Sequence, residues 1–360
     1  MGILLALGYM ISSLFGIGVL LLPQLVQQMG IGYFIISLTF IAMTLNLAAY
    51  LVLELVEITG EDVGTSIKSF LGNWGKYIPA LMGIFTYSAL TAYVIAAGTQ
   101  LSAWLGGDPH YWSTVFFVLA AIPAVGGLRF AARTITYLSM FLVAVVIFVI
   151  PINTKFTAFV PPFFGDLSSI PLFMALSAFA LAGHFSVYEV HRLVRDEKSN
   201  VVVFFAAFAF AFLAYLAFGV TTAAVSPEIA ELSTATLANV YPPFYAFLVS
   251  AIAVLAFYTS FVTVAHSFVK AFEDYMPRRS IYALLLLPIA FLYLLVRDYQ
   301  IISLTGLVAR VGGVSLLLFL SLTGLAHYNA SKKWSVKFPP QGSLALSAIF
   351  AAMALIGLFL

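Results

Sequence analysis

Long apolar runs follow one another along the chain, separated by short polar stretches. A helix needs about 20 mostly apolar residues to cross a bilayer. Eleven such runs can be drawn, over residues 2–29, 31–57, 77–105, 112–128, 131–152, 167–193, 199–225, 242–271, 279–296, 299–326 and 342–360. The pattern predicts an all-α membrane protein with no soluble domain. The longest polar stretch, 58–76, predicts a short amphipathic helix from Val63 to Leu71, and 226–241 predicts a second such cap on the opposite face.

Two runs break their own pattern. The first reads Ile11-Ser12-Ser13-Leu14-Phe15 and then GIGVLLLP over residues 16–23. Gly16 and Gly18 weaken a helix and Pro23 removes a backbone donor. The sixth reads SAFALAGHFSVYEV over 177–190, with Ala182-Gly183 followed by His184. Backbone that leaves helical geometry at mid-membrane depth must be buried in protein or line a cavity. Tight helix packing through small residues is the competing explanation. The two breaks fall five spans apart, so the second half of the chain is inverted relative to the first. Paired interruptions in corresponding helices of inverted repeats mark the central site of a transporter. The layout predicts repeat one over 1–152, repeat two over 167–326 and a peripheral last helix over 342–360. It is a layout argument, since the halves share no residue-level similarity.

Charge orients this arrangement. With the N-terminus in the cytoplasm, 13 of the 16 Lys and Arg residues fall in inner loops. Only Lys155 and Arg297 fall outside, and Arg310 lies within the tenth span. Such a split follows the positive-inside rule and predicts a multi-pass protein of the plasma membrane with its C-terminus outside. The apolar first run continues past any plausible cleavage point and lacks a basic leader, so it is read as part of the mature protein.

Composition narrows the function. Hydrophobic residues make up 63% of the chain and charged residues 8%. A net charge of +2 gives no reason to expect nucleic acid, and the absence of cysteine removes thiol chemistry and cysteine metal sites. The five histidines are scattered, with no metal-ligand spacing and no paired carboxylates, which argues against a membrane enzyme. Short loops argue against a sensor that docks a signalling partner. Tyr and Phe are abundant, at 18 and 34 residues, but most must face lipid or pack between helices.

The broken spans suit a zwitterion. A half-helix starting near Gly16 to Gly18 presents unpaired N–H groups to a carboxylate. Carbonyls freed near Ser13 and Ala180 suit an ammonium group. In span 8, Thr259, Ser260 and Thr263 lie within about one turn of each other and offer hydroxyls to sodium, or else bond back to their own helix. Histidine as a residue type titrates near neutral pH, so His184 is a candidate for proton coupling, or else a neutral imidazole bonded to the backbone break. Glu189 is a second candidate, or a salt-bridge partner of Arg192. Arg310 is a candidate gate, or a structural donor to freed carbonyls, because a charge at that depth should meet a cavity or a partner. His191 and His327 are expected near solvated loops, His266 as a packing residue, and Glu54 and Glu57 at the cytoplasmic interface.

Four stretches carry a family resemblance. GIGVLLLPQLVQQMG resembles the first-helix motif of the amino acid/auxin permease group of the amino acid–polyamine–organocation superfamily. TYSALTAYVIAAG (86–98) resembles that group's third span and FALAGHFSVYEV (179–190) its sixth. AFYTSFVTVAHSFVKAFEDY (256–275) resembles the eighth span of the hydroxy and aromatic amino acid permease branch. The resemblance implies the five-plus-five inverted-repeat fold of the bacterial leucine transporter and secondary active amino acid transport. It implies substrate contacts from Ser12, Ser13, Gly16 and Gly18, from Gly183, His184 and Phe185, and from Tyr93 in span 3. Span 5 lacks the lysine that replaces sodium in some members of the superfamily. The expected cargo is an amino acid, with hydrophobic or aromatic ones favoured. Sodium or proton is the coupling ion, with uncoupled exchange and amino acid sensing as alternatives. No other cofactor is expected, and oligomeric state is left open.

Overall fold

The computed structural model describes residues 2–124, 135–138, 143, 147, 149–194, 196–272, 277–298 and 300–359. Among these residues every regular element is helical. Span 1 is the bent pair Gly2–Leu14 and Gly18–Met29, with 48° between the halves. Span 2 is Ile31–Thr59, span 3 Ile78–Leu105 and span 4 Pro109–Ala124. Most of the expected fifth span lies outside the described residues. Span 6 is Ile170–Ala180, a tight turn at Gly183–Ser186, and Val187–Val194. Spans 7 and 8 are Glu197–Ala223 and Pro243–Phe272, and span 9 begins with Arg278–Tyr293. Span 10 opens with Leu304–Gly306, widens into a π-helical stretch at Leu307–Gly313 and continues as Val314–Ser331; span 11 is Pro340–Leu358.

Seven of these helices are long and apolar enough to cross a membrane, and the bent pair makes eight. Their burial separates centre from edge. In spans 3 and 6, 78% of the most apolar window is buried, against 28% in span 11. Span 11 is therefore peripheral, packed mainly on span 10. Large apolar side chains such as Met43, Phe205 and Leu287 are exposed, as a surface solvated by hydrocarbon requires.

Both expected caps exist, as helices Val63–Lys68 and Ser233–Val240. Asp62 starts the first by accepting from the Gly64 and Thr65 amides at 2.9 and 3.2 Å, so two of the orphan donors of a helix start are satisfied. At the corner between spans 1 and 2, Gly30 takes φ 83°, a conformation that favours glycine. Ile31 and Gly32 donate to the carbonyls of Pro162 and Phe163, while the Gly165 and Asp166 amides donate back to Met29 and Gln28. The segment before span 6 thus closes the loose backbone groups where spans 1 and 2 meet.

At the other end, span 2 carries a buried polar knot. Glu54 and His327 were expected at an interface and in a solvated loop; both are buried. His327 donates from Nε2 to Glu54 Oε2 at 2.7 Å, and the Ser343 hydroxyl lies 2.8 Å from its Nδ1. The Lys337 and Phe338 amides donate to the same carboxylate at 2.7 and 3.2 Å. The physical reason for the difference is the segment between spans 10 and 11, which folds back over span 2 and covers both groups. A buried charge is tolerated when hydrogen bonds replace its water, and Glu54 has three.

Candidate site at the two helix breaks

The break in span 1 leaves carbonyls without helical donors. Two neighbouring helices supply them. In span 8, Ser260 donates from Oγ toward Ser12 O at 2.8 Å and Phe15 O at 2.5 Å. One turn on, Thr263 Oγ1 lies 2.8 Å from Ser12 Oγ and 2.7 Å from Thr259 O. Thr259 Oγ1 sits 3.2 Å from Ala256 O. Ser260 and Thr263 therefore meet span 1, Thr259 bonds back to its own helix, and all three are fully buried. Ser13 turns back on its own helix, donating to Met10 O at 2.8 Å.

The break in span 6 satisfies itself more fully. The Leu181 amide donates to Ser177 O at 3.0 Å, Ala182 to Phe179 O at 3.2 Å and Gly183 to Leu181 O at 2.9 Å. Its surroundings are aromatic. Phe85 of span 3 lies 5.3 Å from Phe179 and 4.8 Å from Phe185, and Phe319 of span 10 lies 4.8 Å from Phe185, by ring centroids.

The glycines of span 1 mark where other groups come closest. A Cβ on Gly16 would stand 2.7 Å from the Tyr93 hydroxyl, and one on Gly18 would stand 2.3 Å from Ala180 Cβ. Gly18 thus brings the second half of span 1 into contact with the end of the first half of span 6. Gly183 faces Met10 and Leu14 of span 1 in the same way. Ser12, Ser13, Gly16, Gly18, Tyr93, Gly183 and Phe185 are all buried around this crossing.

Three expected residues sit elsewhere. His184 is buried but donates from Nε2 to the Leu45 carbonyl of span 2 at 2.9 Å. A carbonyl only accepts, so Nε2 carries the hydrogen. Its ring ties span 6 to span 2, and lies edge-on to Phe208 of span 7 at 6.1 Å. Glu189 is buried in the short helix Val187–Val194. Arg310 is exposed in the π-helical stretch, which itself packs on the first half of span 6 and on span 3. A cavity of about 410 Å³ lies between spans 3, 4 and 9, edged by His110 and Tyr293. Another, of about 530 Å³, lies where Ile95 and Thr99 of span 3 meet Glu231, Leu232 and Leu304. Glu231 there accepts from the Thr305 amide at 2.7 Å, capping the start of span 10.

Sequence reasoning missed the residue that joins the breaks. Tyr215 of span 7 is fully buried. Its hydroxyl donates toward Leu14 O, at the end of the first half of span 1, and toward Ala180 O at 3.1 Å, at the end of the first half of span 6. The Ala180 carbonyl assigned to a ligand's ammonium is therefore engaged by a side chain. A signal existed: Tyr215 is the lone hydroxyl in the run from Val201 to Val220.

No protein-family model and no curated protein matches the chain. Solved structures do match over 99% of it. MhsT in complex with L-phenylalanine aligns at 16% identity, 97% coverage of that chain and a TM-score of 0.66. Mhp1, a nucleobase-cation-symport-1 family transporter in a closed conformation with bromovinylhydantoin bound, aligns at 12% identity, 90% coverage and 0.69. A manganese transporter from Eremococcus coleocola aligns at 15% identity, 84% coverage and 0.57. The chain has the fold of the bacterial leucine transporter, with broken helices 1 and 6.

Proposed function

We propose that this protein is a secondary active transporter of amino acids that works by alternating access. The observation that carries the reading is the crossing of the two breaks. Small residues, freed carbonyls and hydroxyls of spans 1, 6, 7 and 8 converge there in a buried place. Discontinuous helices of this kind hold substrate and coupling ion in many transporters. Spans 1, 2, 6 and 7 would rock against 3, 4, 8 and 9, with Arg310 gating the path and the protein oriented N-terminus inside. The assignment to the amino acid/auxin permease group rests on the sequence motifs. The fold neighbours Mhp1 and the manganese transporter are themselves transporters by name, and MhsT holds L-phenylalanine.

Sodium is the coupling ion in this reading. The Ser12, Phe15 and Ala256 carbonyls and the Ser260 and Thr259 hydroxyls form a group of oxygens across spans 1 and 8, and hard cations take oxygen ligands. The proton alternative places the load on His184 or Glu189, and His184 is already committed to Leu45 O. The aromatic wall of Phe85, Phe179, Phe185 and Phe319 favours a hydrophobic or aromatic amino acid.

The test is uptake of labelled amino acids into liposomes holding the purified protein, under an imposed sodium gradient and separately an imposed proton gradient. Accumulation driven by sodium is expected. Accumulation driven only by protons overturns the cation site, and exchange without accumulation makes the protein an uncoupled antiporter. No movement of any amino acid by folded protein overturns the cargo.

A further inference from the structure

Tyr215 presents an imbalance of donors and acceptors. Each break releases a backbone carbonyl at the end of its first half-helix, Leu14 O in span 1 and Ala180 O in span 6. The two oxygens converge on one phenolic hydroxyl. A phenol has a single proton to donate, so it serves one of the two carbonyls at a time. An under-satisfied carbonyl away from water raises the energy of the unloaded state. The tyrosine ring is fully buried and held edge-on against Phe15 at 5.4 Å, so the hydroxyl is aimed at this point by packing.

Two carbonyls converging on one hydroxyl match a group with several donors on one atom. A primary ammonium carries three. It also carries the positive charge that the C-terminal ends of two half-helices favour. Gly183 lets the span 6 break approach Met10 and Leu14 at the first of these ends, and Gly18 lets the second half of span 1 approach Ala180 at the other.

We propose that the Tyr215 hydroxyl is a built-in stand-in for the protonated amine of the cargo. It holds the amine-binding carbonyls in the unloaded protein and gives them up when cargo enters. The inference rests on the transport reading above for the site, and adds that the cargo class is a primary amine whose binding competes with this side chain. Tyr215 is thus a positioning residue whose removal strengthens binding.

The experiment measures binding of three probes to detergent-solubilised wild-type protein and to Tyr215→Phe. The probes are L-phenylalanine, 2-phenylethylamine, which keeps the amine without the carboxylate, and 3-phenylpropanoate, which keeps the carboxylate without the amine. Loss of a competing hydrogen bond is expected to tighten both amine probes roughly two- to tenfold in Tyr215→Phe and to leave 3-phenylpropanoate unchanged. Equal or weaker binding of the amine probes to the variant overturns the stand-in. An equal gain for 3-phenylpropanoate also overturns it, because the hydroxyl would then be blocking space. If L-phenylalanine binds neither protein while 2-phenylethylamine binds the variant more tightly, the amino acid reading fails and the stand-in survives. If none of the three binds either protein, both fail. Should Tyr215→Phe not fold, 3-fluorotyrosine placed at position 215 keeps the shape and strengthens the donor. It must weaken the two amine probes, and unchanged or tighter binding of them overturns the proposal.

Discussion

The two breaks occupy corresponding helices of the inverted halves, yet their chemistry differs. The span 1 break is held from outside itself. Its carbonyls take donors from Ser260 of span 8 and Tyr215 of span 7. The span 6 break closes most of its own backbone bonds through tight turns and is walled by Phe85, Phe179, Phe185 and Phe319. One break is thus rich in oxygens and the other in rings. Both breaks are places where backbone leaves the helix, and the neighbouring side chains set which groups line each one. In the transport reading, the first suits a cation and the second an apolar side chain of the cargo.

The largest effect is expected where the breaks touch. Replacing Gly18 by leucine drives a side chain into Ala180, where even a Cβ would stand at 2.3 Å. Overpacking a tight contact costs about 1–3 kcal/mol or more, and uptake should fall to background. The milder Gly18→Ala is expected to lose most uptake and to regain it when combined with Ala180→Gly. Failure of the paired change to restore uptake in folded protein would show that Gly18 serves more than this contact.

Arg310→Ala comes next. In the gating proposal uptake is lost while the protein stays monodisperse in detergent. Normal uptake by that variant would sink the gate.

A pair of substitutions then separates the two breaks. Ser260→Ala removes a hydroxyl and strands the Ser12 and Phe15 carbonyls, at a cost of about 1–3 kcal/mol. The sodium concentration for half-maximal uptake should rise by roughly tenfold or more, with the ranking of cargoes retained. Phe185→Ala should reorder the cargoes and leave the sodium requirement within about twofold of wild type, since 1.4 kcal/mol corresponds to tenfold. If both variants shift both quantities alike, the division between an oxygen break and a ring break is wrong.

The smallest effect on transport is expected far from both breaks. Glu54→Gln keeps an oxygen for the Lys337 or Phe338 amide but loses the charge that His327 faces. The melting temperature should fall while cargo ranking and cation dependence hold. A change in cation dependence instead would connect this polar knot to the coupling machinery.

Much of this molecule was determined by the sequence alone. The apolar helices among the described residues, both breaks and the weakly buried last helix were legible because hydropathy, glycine and proline act on the local backbone. The hydroxyls Thr259, Ser260 and Thr263 were legible as a group because they lie on one helix within about one turn. Tertiary structure decided which groups those elements meet. It turned His184 toward Leu45 in span 2, and buried His327 against Glu54 across 273 positions of sequence. It also carried Tyr215 to carbonyls 201 and 35 positions away. Periodicity reports which face of a helix is apolar; it does not report which helix lies against that face. That partner is selected by packing of the whole bundle, and here it determines which groups line the two breaks.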